Sequence, residues 1–580
     1  MRFANKFVLL LGCIIFICAC AQTKQENNLT LALRGEVESL DPAFSYDGIS
    51  HGLLLNVYDT LIKFKGSSLK EFEPLIAREV PTLENGLISP DGLTYTFNIR
   101  EDITFQDGTP LTAEDAAYSL QRFMLSDNIS GPSSLLLEPI LGISSTRDKN
   151  RKLQIDIEDI LNAVQAKDNQ VIIKLKRPFA PFLGIMARWS YVLNKKWAIE
   201  HGEWDPSKPN WKEFNNRDKD ASFLFENTNG SGPFIVQRWD RAAKRVYLTA
   251  NKNYFLGAPK LDSVLVLSIP EQSTMRLMLE SGDVDIAEIA GSFVDQIASN
   301  PEIVVYDTLP RLKTDPVLFF TYDINGISNP DIGSGKLDGQ GIPTDFFKDI
   351  NIRKAFLYSF DYDAFVKDSA KNKAPRAVGA VPPALSGYDE NMPHYNLDLK
   401  KAEEYFKLAK NGEVWEKGFS FTITYSSGNT LGQMACEILK RNVEKINPKF
   451  KIELRAVPWA NFLEKTQNHK MPLWVRGWVA DYPDAHNFAF PFLHSNGRYA
   501  IAQNFKDATL DKFIEEAVST TDPKKREELY KKIGRLDYES AGRMYTIYSP
   551  GVWVMRKNVQ GFVDNPVFMG IYFYPLYKVL

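Results

Sequence analysis

Cysteine is scarce: there are four in 580 residues, and Cys13, Cys18 and Cys20 all fall within the first twenty positions. Cys436 stands alone in the body of the chain, which excludes an intramolecular disulfide or a cysteine-based metal site there. Histidine is thin as well. The six lie scattered at 51, 201, 394, 469, 486 and 494 without an HExxH pattern or a tight pair. A metal or metal chelate would use His486 and His494, while the spacing itself calls for no metal centre. No block of like charge occurs, and the net charge of −3, which becomes −5 without Arg2 and Lys6, argues against a nucleic-acid partner. Beyond the N-terminus no apolar run reaches membrane-spanning length.

What is present begins with a leader. Arg2 and Lys6 precede an apolar run over 7–19, so residues 1–19 read as a secretory signal. Ile17-Cys18-Ala19-Cys20 resembles a bacterial lipobox, which implies cleavage before Cys20 and lipid attached to it. Cys18 departs from the pattern, since Ala, Ser or Thr is usual there. Residues 20–28 are then a lipidated Cys and a polar tether.

With 44% hydrophobic and 24% charged residues the remainder is globular, and its length allows several domains. Residues 29–33, 93–99 and 170–175 read as strands, as do the alternating runs 419–425 and 450–456. Thr112 with Glu114 and Asp115 opens a helix, and further helices are expected at 431–446, around Cys436, and at 523–536. Strands crossing over through helices imply a sheet covered on both faces. Residues 144–166 and 204–229 read as surface elaborations, and the Gly-, Ser- and Asp-rich 327–343 as a mobile loop.

Two stretches bear on chemistry. Gly48-Ile49-Ser50-His51-Gly52 matches GxSxG, but the residues before it do not form the buried strand that a hydrolase elbow needs. Arg476-Gly477-Trp478-Val479-Ala480-Asp481-Tyr482-Pro483-Asp484 follows an apolar run, and Pro483 ends regular structure just after Asp481. A carboxylate beside a large aromatic at a strand end suits a positively charged amine, through charge-assisted hydrogen bonds and a cation-binding ring face. Asp481 and Asp484 need not face one cleft, so no acid/base pair follows, and nothing demands catalysis.

Motifs along the whole chain carry a resemblance. Ser39-Leu40-Asp41-Pro42, Tyr58-Asp59-Thr60-Leu61, Glu73-Pro74-Leu75-Ile76-Ala77, Asp91-Gly92-Leu93-Thr94-Tyr95-Thr96-Phe97 and residues 105–115 occur in order and spacing. Lys176-Arg177-Pro178-Phe179-Ala180-Pro181-Phe182, Ser231-Gly232-Pro233-Phe234, residues 280–285 and Ile352-Arg353-Lys354-Ala355-Phe356 follow. The sequence resembles the extracytoplasmic solute-binding proteins of family 5, which serve peptide and nickel importers.

The resemblance implies an α/β, two-lobed type II periplasmic-binding-protein fold in its large three-domain form, with discontinuous domains and a hinge. Residues 29–66, 215–308 and 548–580 would form the core of lobe 1, 67–214 an additional domain of that lobe, and 309–547 lobe 2. Chain crossings are expected near 319–324 and 545–552. Asp481 would take a peptide's free amine and Trp478 would line the adjacent pocket; Gly477 and Ala480 accompany them, and Gly48 and Ile49 would offer backbone at the cleft wall. Arg476 suits a ligand carboxylate, yet oligopeptide binders carry Arg at the place of Val475, and strand alternation could turn Arg476 away. The implied partners are a short peptide, an ABC permease and ATPase, and a membrane reached through lipid, with no cofactor, no enzyme activity and a monomeric state. The implied location is the cell envelope, facing the periplasm or the outer surface. Alternatives are a nickel-chelate, haem or other small-solute binder of the family, or an importer-independent receptor or chaperone lipoprotein.

Overall fold

In the computed structural model, residues 27–579 are described apart from 129, 130 and 149; the leader and Cys20 lie outside the described residues. Strands β1 (Asn28–Leu33), β2 (Phe234–Asp240), β3 (Arg245–Ala250), β4 (Ser263–Ser268), β5 (Ile286–Ala287) and β6 (Ile303–Leu309) belong to one sheet. A second sheet takes β7 (Lys313–Phe320), β8 (Phe419–Ser426), β9 (Phe450–Val457), β10 (Leu473–Val479) and β11 (Arg543–Tyr545), after which β12 (Gly551–Arg556) returns to the first. The spatial orders are β6-β12-β5-β1-β4-β3-β2 and β9-β8-β10-β7-β11. Within them β1 runs parallel to β4 and β5, and β8 runs parallel to β9 and β10.

Both sheets are covered on both faces, as the apolar content of their central strands dictates. In β1, Leu29, Leu31 and Leu33 enter the largest apolar core, while Ala32 turns to a smaller one with Met275, Leu279 and Val554. In β10 the alternation divides likewise: Trp474 stacks on Phe319 with ring centroids 4.3 Å apart, and Leu473 and Val475 join the opposite core with Phe421 and Ile423. Cys436 is buried there too, inside a helix (Thr430–Ile446).

The two sheets are the centres of the two lobes. A three-stranded sheet (Thr94–Asn98, Val164–Lys167 and Gln170–Lys174) adds to the first, packed by a helix spanning Ala113–Ser126. That helix starts where the sequence says it should, because Thr112 Oγ1 accepts from the Asp115 amide and Asp115 Oδ2 accepts from the Thr112 amide. Phe97, Phe179 and Phe182 are all core.

Three expectations need correction. The first chain crossing lies at 310–312, between β6 and β7, since 319–320 end a buried strand in which Phe319 and Phe320 pair with Trp474 and Leu473. The second, at 546–550, falls within the expected stretch. Residues 327–343 are pinned: Asp331 is buried and ion-paired to Arg455 and Lys465, and Ile332 and Ile342 enter the core. Nor is 204–229 wholly surface. Trp204 is buried and stacks on Tyr118 at 5.7 Å, and Ser222 joins Arg122, Asp41 and Glu203 in a buried polar network.

Candidate ligand-binding site

A cavity of about 660 Å³ lies between the lobes. From the first sheet come Leu33, Arg34 and Gly35 at the carboxyl end of β1, Glu288 to Gly291 just past β5, and Gly551 where antiparallel β12 begins. From the second come Gly428, Asn429 and Thr430 past the carboxyl end of β8, and Lys313 and Asp315 at the start of antiparallel β7. Each sheet thus offers the same ends of its strands to one space, the place where open α/β sheets hold ligands.

A helix lines the lobe 1 wall. Asp47 caps α1 (Gly48–Val57) by accepting from the Ile49 and Ser50 amides, and Gly48, Ile49, Gly52 and Leu53 face the cavity. The GxSxG pattern is explained here by packing and capping. Ser50 Oγ accepts from the Glu38 amide at 2.8 Å, and a Cβ on Gly52 would stand 2.9 Å from the Gly570 Cα. The glycine is needed so that α1 can lie against the 569–570 backbone.

Gly48 and Ile49 are therefore on the cavity wall, whereas Arg476, Gly477, Trp478, Ala480 and Asp481 are not among its lining residues. They form an adjoining interlobe cluster. Asp481 is 7% exposed, and the Tyr46 hydroxyl, from the opposite lobe, donates to its Oδ2 at 2.8 Å. Its amide donates to Asn487 Oδ1, its carbonyl accepts from the Trp189 indole at 2.8 Å, and the Ala480 carbonyl accepts from Arg188 Nη1 at 2.7 Å. Burial raises the Asp481 pKa, opposed first by the nearby Arg188 guanidinium and then by the Tyr46 bond.

The other members divide by strand face. Gly477 lacks a side chain because a Cβ there would lie 2.3 Å from the Asp315 Cβ and Cγ, and Asp315 is itself on the cavity wall. The Trp478 indole donates to the Asn487 carbonyl at 2.6 Å and meets the Tyr499 ring edge-on. Arg476 shares the Trp478 face and not that of Val475, with its guanidinium over the rings of Trp459 at 4.8 Å and Tyr499 at 5.4 Å. Burial depresses its pKa. Among the described residues no carboxylate lies within ion-pairing distance of Arg476, Arg188 or Arg498.

Sequence reasoning missed Tyr46, Arg188 and Trp189, which reach this cluster from lobe 1, and Asp315, which links it to the cavity. Tyr46 sits two residues before Gly48, at the start of α1. His486 and His494 are turned elsewhere: His486 Nδ1 meets the Tyr482 hydroxyl at 2.8 Å and its Nε2 faces Glu138, and His494 lies beside Glu515. Asp484 is engaged by a bidentate contact from Arg526 and forms no pair with Asp481. Among the described residues no cluster of three His, Cys, Asp or Glu side chains is arranged to hold a metal ion, and no helix is long and apolar enough to cross a membrane.

Two lobes joined by two short crossings, with a ligand-sized cavity at facing strand ends, define a protein that holds a solute between its lobes. The family follows from comparison: the chain belongs to the bacterial extracellular solute-binding proteins of family 5, whose middle-region model matches residues 71–500. Among its relatives, the probable D,D-dipeptide-binding periplasmic protein DdpA of Escherichia coli is 24% identical, the match covering 93% of this chain and 92% of that protein. Heme-binding protein A of Haemophilus influenzae is 22% identical, with 95% of each covered. A solved structure, the ABC transporter-associated periplasmic binding protein DppA from Helicobacter pylori in complex with the peptide STSA, matches with a TM-score of 0.73 at 24% identity, covering 95% of this chain and 98% of that one.

Proposed function

We propose that this protein captures short peptides between its lobes and delivers them to the permease of an ABC importer, performing no chemistry on them. The carrying observation is the interlobe cavity at facing strand ends, of a size that suits a drug-sized ligand, roughly a di- to tetrapeptide. Peptide-binding relatives support the same cargo. In this reading residues 29–66, 215–308 and 548–580 form the lobe 1 core, 67–214 its additional domain and 309–547 lobe 2, and the lobes turn about the 310–312 and 546–550 crossings. Asp481 receives the peptide amine once opening withdraws Tyr46, Trp478 and Ala480 frame it, Gly477 admits Asp315 to the wall, and Gly48 and Ile49 meet the peptide from lobe 1. Arg476, free of a carboxylate partner, serves the peptide's carboxyl end. Lipid on Cys20 tethers the monomeric protein at the cell envelope.

Native mass spectrometry of the unlipidated protein from Gln22 onward, with released ligands sequenced by fragmentation, tests this. A ladder of short peptides, diminished in Asp481→Asn, is the expected result; a haem, a metal chelate or another non-peptide adduct overturns it.

A further inference from the structure

The charges in the cavity wall are already matched to one another. Arg34 binds Glu288 at 2.7 Å, Lys313 binds Asp315 at 2.8 Å and Lys373 binds Asp307 at 2.7 Å, all within the wall. Two further lining cations are held by carboxylates outside the lining: Arg311 has a two-pronged contact with Asp564 at 2.5 and 2.7 Å, and Lys371 reaches Asp295 at 2.6 Å. Every charged side chain that lines the cavity is therefore in an ion pair. A charged ligand side chain entering this space would have to compete with an existing partner rather than find an uncommitted counter-charge, so its charge gains it little.

Between these pairs the wall is mostly apolar, with Ser369, Asn429, Thr430 and Ser549 as its uncharged polar side chains, and it comes from both lobes. Ile49, Leu53, Met569 and Phe573 face it from lobe 1, along with Ile289 beyond β5, and Met434 faces it from the helix of lobe 2 that begins at Thr430. Met434 is 38% exposed, far from the usual state of an apolar side chain on a helix with a buried face. A methionine presented to a cavity from each lobe is an adaptable apolar surface, able to repack around side chains of different shape.

We infer that the cavity selects peptides by side-chain polarity, accepting those with uncharged, apolar side chains of varied shape and discriminating against acidic and basic ones. The inference rests on the peptide reading above and adds the class of peptide to it. Selection lies in the cavity between Ile49 and Met434, whereas the peptide's termini are handled elsewhere, so terminal charges do not disqualify a ligand.

The test is a competition. The unlipidated protein, stripped of retained ligand and refolded, is offered an equimolar tripeptide library varied at each position, and the bound fraction is identified by mass spectrometry. Leu, Ile, Val, Met and Phe should be enriched in at least one position by about tenfold or more over Asp, Glu, Lys and Arg. In Met434→Asp, a change at a half-open helix position, Lys- and Arg-containing peptides should enter the bound pool. A bound pool with the library's own composition, or one in which Met434→Asp leaves preferences unchanged, overturns the selectivity while leaving peptide capture intact. If the folded protein retains no peptide from the library, both the selectivity and the peptide reading fall.

Discussion

The Tyr46 to Asp481 hydrogen bond spans the lobes at the carboxylate assigned to the peptide amine, and removing the hydroxyl tests that assignment directly. Asp481 Oδ2 already accepts from a neutral donor at 2.8 Å. An incoming ammonium must displace that donor. The bond lost is worth about 1 kcal/mol net, whereas a charge-assisted bond to the same buried carboxylate is worth about 1.5–3 kcal/mol. Tyr46→Phe abolishes the first without touching the second, so peptide affinity should rise about fivefold. Asp481→Asn keeps the shape and an oxygen for Tyr46 but removes the charge, and should weaken binding by about 10- to 150-fold. In the double variant the Asn effect should persist while the Phe gain shrinks, because an amide offers the ammonium little to compete for. Isothermal titration with one tripeptide across the four proteins reads all of this. Weaker binding in Tyr46→Phe would mean that Tyr46 is itself a ligand donor, and unchanged binding in Asp481→Asn would remove Asp481 as the anchor.

Gly477→Ala should cost about 1–3 kcal/mol in urea unfolding, since its new methyl meets the Asp315 side chain; loss of less than about 0.5 kcal/mol would show that β10 gives way easily. Peptide affinity should decline as pH falls, with the onset shifted upward from that of an ordinary aspartate, because burial raises the Asp481 pKa and the ligand needs the ionised form; Asp481→Asn should flatten that profile. Burial lifts the Glu138 carboxyl to about 7, beside a His486 imidazole kept neutral by its own burial. The folded state thus holds a proton that the unfolded one releases near pH 4.5, and this contribution to stability is present at acidic pH and lost as pH rises through about 7. Glu138→Gln should remove that slope from a series of melting curves, and an unaltered slope would assign it elsewhere. Arg311→Ala leaves Asp564 without its partner at the first crossing and should destabilise by about 3–5 kcal/mol, measured by urea unfolding; a change near zero would show that water replaces the guanidinium.

The fold was legible where local signals and burial agree. The Thr112 cap, the strand at 29–33 and the helix around Cys436 depend on residues within one turn or one strand, and each stands within a residue or two of where its pattern puts it. The family motifs carried the architecture further than periodicity could. Polarity misled where charge is buried in matched networks: Asp331 between Arg455 and Lys465, or Ser222 beside Arg122, read as solvent-facing because a sequence does not show partners a hundred or more residues away. The first crossing was misplaced because it comes before the strand 313–320, whereas the break was expected at that strand's far end. In the candidate site, strand alternation framed the right question about Arg476, and the side chain lies on the Trp478 face. Tyr46 and Arg188 could not be linked to Asp481, since only the folded chain brings them across from the other lobe.

The second crossing is stitched to the start of β7, just past the first. The Asp315 amide donates to the Ile547 carbonyl, Ser549 Oγ donates to the Asp315 carbonyl and Thr546 Oγ1 to that of Pro316. Two separate strings would let the lobes slide and twist independently, but a sewn seam permits little except swinging, like the spine of a book. Tyr46 and Asp481 then act as a clasp between the covers. A rotation at the seam that parts the lobes would undo the Tyr46 to Asp481 fastening. The same geometry would let an importer learn whether the protein is loaded by touching only the outer edges of the two lobes.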